Sequence, residues 1–69
     1  MPHHVARVTM VIAESPVSFD EALKVGFKRA AATLRGITGL RLLEKRIAVK
    51  DNQIAAYRVR FEIIFLLED

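Results

Sequence analysis

The sequence predicts an α+β fold of order β-α-β-β, and three observations predict it. Residues 5–12 and 54–67 alternate with the period of two expected of strands. Between them, residues 18–35 repeat apolar side chains at spacings of three and four and open on a capping sequence. A tight-turn tetrapeptide, Lys50-Asp51-Asn52-Gln53, joins a second strand at residues 40–49 to the last one as a hairpin. One helix can cover one face of a three-stranded sheet, so residues 1–69 read as a single domain.

The first strand is β-branched, with Ala6, Val8, Met10 and Ile12 on a fully apolar face and Val5, Arg7, Thr9 and Val11 on a mixed one. It stops at Ala13-Glu14-Ser15-Pro16, because Pro16 lacks an amide donor and pushes Ser15 into an extended conformation. Ser18-Phe19-Asp20-Glu21 fits a capping box, and its two acids sit at the positive end of the helix dipole. The helix presents Phe19, Leu23, Phe27, Ala30 and Leu34 as one stripe, and Gly36 is the natural residue to end it with a positive φ. In the last strand Tyr57, Val59, Phe61, Ile63, Phe65 and Leu67 form one apolar face. The other face carries Arg58, Arg60 and Glu62 before turning apolar at Ile64 and Leu66. Fourteen extended residues would span about 46 Å, whereas a compact chain of this length is only about 28 Å across. That strand must bend sharply or reach beyond its own subunit. Leu40, Leu42, Ile64 and Leu66 are expected on the sheet face away from the helix, where other subunits would cover them.

Size and composition narrow the function classes. A chain of 7.8 kDa should expose roughly 4,400 Å² folded against roughly 11,300 Å² unfolded, which is marginal burial for a lone domain. With no cysteine, disulfides and thiolate zinc sites are excluded, and oligomerisation is the remaining way to stabilise so small a core. An apolar fraction of 52% and a mean hydropathy of +0.24 agree with surface shared between copies. No apolar stretch reaches the roughly 20 residues of a membrane span, and Arg7 interrupts the first apolar run, so no membrane partner and a cytoplasmic location are expected. The net charge of +3 favours small anions. Its basic residues are spread evenly rather than clustered as in a dedicated nucleic-acid binder. No nucleophile–base pair or glycine-rich phosphate cradle is present, so the sequence does not predict an enzyme.

Several motifs in order resemble those of the dodecins, small flavoproteins of bacteria and archaea. They are Ser15-Pro16-Val17-Ser18, Thr33-Leu34-Arg35 at the helix end, Glu44-Lys45-Arg46, Tyr57-Arg58-Val59 and Phe65-Leu66-Leu67-Glu68. The resemblance covers nearly the whole chain without gaps. It implies a three-stranded antiparallel sheet wrapped around the helix and a hollow homododecamer. It also implies flavin, as riboflavin, FMN or FAD, stored in pairs between subunits rather than turned over.

The chain departs from that family where flavin is held. Gly39 stands where the family carries the tryptophan that stacks on the ring, Arg58 where it carries a glutamine, and Ile64 where it carries a glycine. Loss of the stacked aromatic and its buried area amounts to about 3 kcal/mol, or around a hundredfold in affinity. Arginine is donor-only and cannot reproduce the acceptor of an amide. Gly39, Arg46 and Arg58 are therefore the candidate ligand-binding residues, with flavin expected to bind weakly or not at all. Arg46 and Arg58 can meet another anion between subunits; the plain alternative is a strand face paired with Glu44 and Glu62. Glu14, Asp20, Glu62, Glu68 and Asp69 could hold a hard cation on a symmetry axis, although solvated surface accounts for most of them. His3-His4 reads as a tail rather than a metal site. Gly36-Ile37-Thr38-Gly39 matches the GxxG loop of nucleic-acid-binding KH domains, but a helix cap and turn explain it more simply. Three readings follow: a ligand-holding oligomeric shell, an assembly protein that has lost its ligand, and a nucleic-acid binder.

Overall fold

The computed structural model describes residues 4–67. It has the expected order: β1 (Ala6–Ser15), α1 (Phe19–Ala31), β2 (Ile37–Lys50) and β3 (Gln53–Leu66). The strands form one antiparallel sheet in the order β1-β3-β2, so the last strand in sequence is the central one. Among the described residues no helix is long and apolar enough to cross a membrane.

Local chemistry sets the boundaries. Ser18 is the helix cap, with its Oγ accepting from the Glu21 amide at 3.0 Å. Ser15 is buried, and its Oγ accepts from the Val17 amide at 2.9 Å, which turns the chain from β1 into α1. The helix stops at Ala31, short of residue 35. The amides of Thr33 and Leu34 both turn to the Ala30 carbonyl, and the Thr33 hydroxyl donates to the same oxygen, so the ladder does not continue. Gly36 has its positive φ of 72°. It serves the entry to β2 rather than the helix end, because its carbonyl accepts from the Leu66 amide at 3.0 Å. That bond draws residues 37–39 into the sheet, so β2 begins three residues earlier than the sequence suggests. At the hairpin, Asp51 and Asn52 both have positive φ (53° and 62°), the signature of a type I′ turn that matches the twist of its strands.

The helix lies on β1 and β3. Val59, Phe61 and Ile63 from β3 and Ala22 from α1 form the buried cluster, with Val11, Ala13, Phe19, Leu23, Ala30 and Leu34 packed on it. The buried stripe of α1 runs through Ala22 and Gly26, and Phe27 is turned outward. At Gly26 a Cβ would lie 2.8 Å from Ala13 Cβ and 3.1 Å from the Phe61 ring, so its missing side chain lets helix and sheet approach. Phe19 meets Tyr57 edge-on at 5.2 Å, and Lys45 Nζ lies 5.4 Å over the Phe19 ring.

Register corrects the predicted faces. Leu40 lies opposite Ile63 and Leu42 opposite Phe61, so both are on the helix side of the sheet. They are exposed because the helix lies on β1 and β3 and leaves the middle of β2 uncovered. Ile64 and Leu66 do face away from the helix, opposite Val8 and Ala6. The apolar face of β1 faces away too: Val8, Met10 and Ile12 are 53%, 55% and 65% exposed. The long last strand extends rather than bends. β1 pairs only with residues 57–66 of β3, so the β2–β3 hairpin overhangs it. The chain measures 57 × 20 × 13 Å, and its radius of gyration of 14.7 Å exceeds the roughly 11 Å of a compact chain of this length.

Candidate functional site

Two of the predicted site residues meet on the sheet face away from the helix. Arg46 on β2 and Arg58 on β3 are direct register partners, and Arg60 follows two residues on, opposite Glu44 and Ile12. Period-two alternation puts all three guanidinium groups on one face. With Ile12, Glu44 and Val59 they line a shallow basin of about 290 Å³.

The arginines share two carboxylates. Arg58 donates from Nε and Nη2 to Glu14 Oε1 at 3.1 and 3.0 Å. Arg46 donates to Glu44 Oε2 at 3.0 Å, and Arg60 Nε stands 4.0 Å from Glu44 Oε1. Two like charges placed directly opposite are unfavourable, and these carboxylates offset that cost. Counting these five side chains alone, the basin keeps one net positive charge. It is open to solvent, so it suits a small anion with several acceptor oxygens.

The expected pairing is half right. Glu44 is the partner of Arg46, but Glu62 turns to Arg41 at 3.9 Å, and Arg58 is held by Glu14. Glu14 is opposite Arg58 because β3 is central, a strand order that sequence alone did not supply. Arg60 was visible as the next residue on the same strand face, and strand period was the signal for including it.

Gly39 is not brought to the arginines within one protomer. It lies opposite Ile64, six residues along β3 from Arg58, or roughly 20 Å away. Its φ is not positive, and a Cβ there would meet Ile64 Cδ1 at an ordinary 3.8 Å. The backbone therefore accepts a side chain at position 39, and Ile64 occupies the space beside it. Gly39 and Thr38 are already in β2, so residues 36–39 do not form the free loop of the GxxG reading. Among the described residues no cluster of metal-ligating side chains forms. Glu14 and Glu62 are engaged by arginines and Asp20 lies in the first helical turn, while His3, Glu68 and Asp69 lie outside the described residues.

A comparison with curated proteins returns no match. Solved structures are similar along the full length. The dodecin of Streptomyces coelicolor superposes with a TM-score of 0.91 at 33% identity, covering 100% of this chain and 99% of its own. The dodecin of Streptomyces davaonensis gives 0.90 at 32% identity, covering 99% and 100%. A calcium-chelating immunodominant antigen of Mycobacterium tuberculosis, a calcium dodecin, gives 0.81 at 29% identity, covering 93% and 91%. The family model for dodecin matches residues 5–68, so the chain belongs to the dodecin family.

Proposed function

We propose that the protein is a non-enzymatic homo-oligomeric shell of twelve copies that holds a small anionic ligand on its arginine face. The observation that carries this reading is the basin of Arg46, Arg58 and Arg60 with only Glu14 and Glu44 to balance them. Flavin stacked in the family's manner is not the ligand favoured: position 39 offers no ring, and Ile64 takes the adjacent space. The calcium-chelating relative raises a cation as a second ligand class. Glu14 and Glu44 speak for the anion instead, because both are already committed to arginines.

Titration of riboflavin and FMN against the purified protein, followed by flavin fluorescence, tests the reading. The two ligands share the ring and differ by a phosphate. A charge-assisted contact at an exposed site, discounted for solvent screening, is worth about 1 kcal/mol, or roughly fivefold. The protein should purify colourless, bind riboflavin weakly and FMN severalfold better. Arg46→Ala should erase that preference. Tight quenching of riboflavin by the wild type would falsify the loss of the stacking site. Equal affinity for the two ligands would remove the arginine face from the function.

A further inference from the structure

We infer that the outer face of α1 is a docking surface for an anionic phospholipid bilayer, held by four cations and by two exposed apolar side chains. Such a contact is peripheral and needs no spanning segment. It uses a different surface from the arginine basin, which lies on the sheet face away from the helix.

The first observation is the distribution of charge. The basic residues are spread evenly along the chain, but the acidic ones are not. Residues 22–43 hold Lys24, Lys28, Arg29, Arg35 and Arg41 without one Asp or Glu, while the rest of the chain carries six basic and all eight acidic residues. The fold preserves this separation. Arg41 has Glu62 at 3.9 Å, but among the described residues Lys24, Lys28, Arg29 and Arg35 have no acidic partner. Glu14 lines the same slot between α1 and β1 as Lys28 and Arg29, and it is bonded to Arg58 at 3.0 Å. Asp20 and Glu21 lie in the first helical turn, at the capped end. Two carboxylates offset the three arginines of the basin, so α1 and the segment after it carry the larger unpaired positive charge.

Placement is the second observation. Lys24 and Lys28 are about one turn apart, on the face opposite the buried Ala22 and Gly26. All four cations are exposed. A helix C-terminus favours cations in its last turn, which accounts for Lys28 and Arg29. It does not account for Lys24 in the middle of the helix or for Arg35 beyond its end. The third observation is what lies among them: Val25 and Phe27 are 51% and 36% exposed. Binding to a phosphate backbone would leave these two side chains in water, whereas the headgroup boundary of a bilayer takes up apolar side chains together with the cations around them. Each Lys or Arg beside an anionic leaflet contributes about fivefold in affinity, so four contribute on the order of several hundredfold per copy. The homo-oligomer proposed above multiplies this by presenting several copies to one surface.

Co-sedimentation with vesicles tests the docking face, and circular dichroism with native mass spectrometry checks that each variant folds and assembles as the wild type does. The full chain should pellet with vesicles of phosphatidylcholine mixed with phosphatidylglycerol and not with phosphatidylcholine alone. Raising sodium chloride from about 0.1 M to about 1 M should release it. Lys24→Gln combined with Lys28→Gln should lower the affinity roughly 25-fold, whereas Lys24→Arg with Lys28→Arg should retain it. Lys50→Gln, at the far end of β2, should leave it unchanged. The Lys24/Lys28 glutamine variant should also keep the wild-type preference for FMN over riboflavin, which separates this face from the ligand reading. No pelleting with the anionic vesicles, equal pelleting with neutral ones, an unchanged affinity in the glutamine variant, or loss of binding in Arg46→Ala would each overturn the docking face. A duplex oligonucleotide that displaces the protein from vesicles, and binds Phe27→Ser as tightly as wild type, would reassign the surface to nucleic acid.

Discussion

Gly26 shows how one residue sets the distance between helix and sheet. An added methyl would lie 2.8 Å from Ala13 Cβ and 3.1 Å from the Phe61 ring, and Phe61 is fully buried with little room to yield. Overpacking of this kind costs about 1–3 kcal/mol, whereas alanine in place of glycine in a helix returns up to about 1 kcal/mol. Gly26→Ala should therefore lower the unfolding free energy measured in urea by a net ~1–2 kcal/mol, and an unchanged or raised value would show that the helix can shift. The same accounting applies at Ser18, whose oxygen satisfies the Glu21 amide. Ser18→Ala should cost about 1 kcal/mol in the same assay, while Ser18→Asp, which preserves the acceptor, should cost far less. At Gly39 the reasoning reverses, because the backbone there is unstrained and Ile64 is the neighbour in contact. Gly39→Trp combined with Ile64→Gly and Arg58→Gln should raise riboflavin affinity well above wild type. Gly39→Trp alone should gain less, because Ile64 remains in place and the effects couple. A folded triple variant with no gain in fluorescence quenching would show that these positions do not separate this chain from its flavin-binding relatives.

At the scale of elements, what was legible in the sequence was whatever local chemistry decides. The Ser18 cap, the Asp51-Asn52 turn and the inward face of β3 follow from capping, left-handed tolerance and period-two alternation, and the structure has all three. What long-range pairing decides was not legible. The start of β2 depends on a hydrogen bond from Leu66 to Gly36, thirty positions apart. The faces of Leu40 and Leu42 depend on register across β2 and β3, with shifts at Leu42/Glu44 and elsewhere. A slip of one residue sends a side chain to the opposite face, so a strand read in isolation leaves its face open. The arginine site repeats this lesson: alternation puts Arg58 and Arg60 on one face, but only the central place of β3 brings Glu14 to Arg58. The hairpin also offers a test. Type I′ turns favour glycine at the second central position, where Asn52 now holds a φ of 62°. Asn52→Gly relieves about 1 kcal/mol of left-handed strain and loses part of it to unfolded-chain entropy. A net gain of a few tenths of a kcal/mol is expected in the free energy of chemical unfolding, and a loss would mean that the Asn52 side chain makes a contact in the assembly.

On the scale of the whole molecule, two kinds of surface are exposed on the protomer, and salt should tell them apart. One is apolar: Val8, Met10 and Ile12 on β1, Val49 and Ile54 on the hairpin. Burial of such surface does not weaken as ions are added, and strongly hydrated salts strengthen it. The proposed ligand surface is a set of exposed guanidinium groups, whose pull on an anion is screened once the Debye length falls from about 10 Å at 0.1 M to about 3 Å at 1 M. Raising sodium chloride from 0.1 to 1 M should therefore leave the sedimentation coefficient at low micromolar protein unchanged while removing most of the FMN preference over riboflavin. The protomer's apolar core is small, led by Val59, Phe61 and Ile63, so a released subunit should unfold rather than persist. Folding and association are then one equilibrium, and the thermal midpoint should rise with protein concentration at either salt. Folded monomers appearing in 1 M salt would mean that charge pairs, not apolar area, hold the copies together. A concentration-independent midpoint, reached reversibly, would mean that the core of one chain is sufficient by itself.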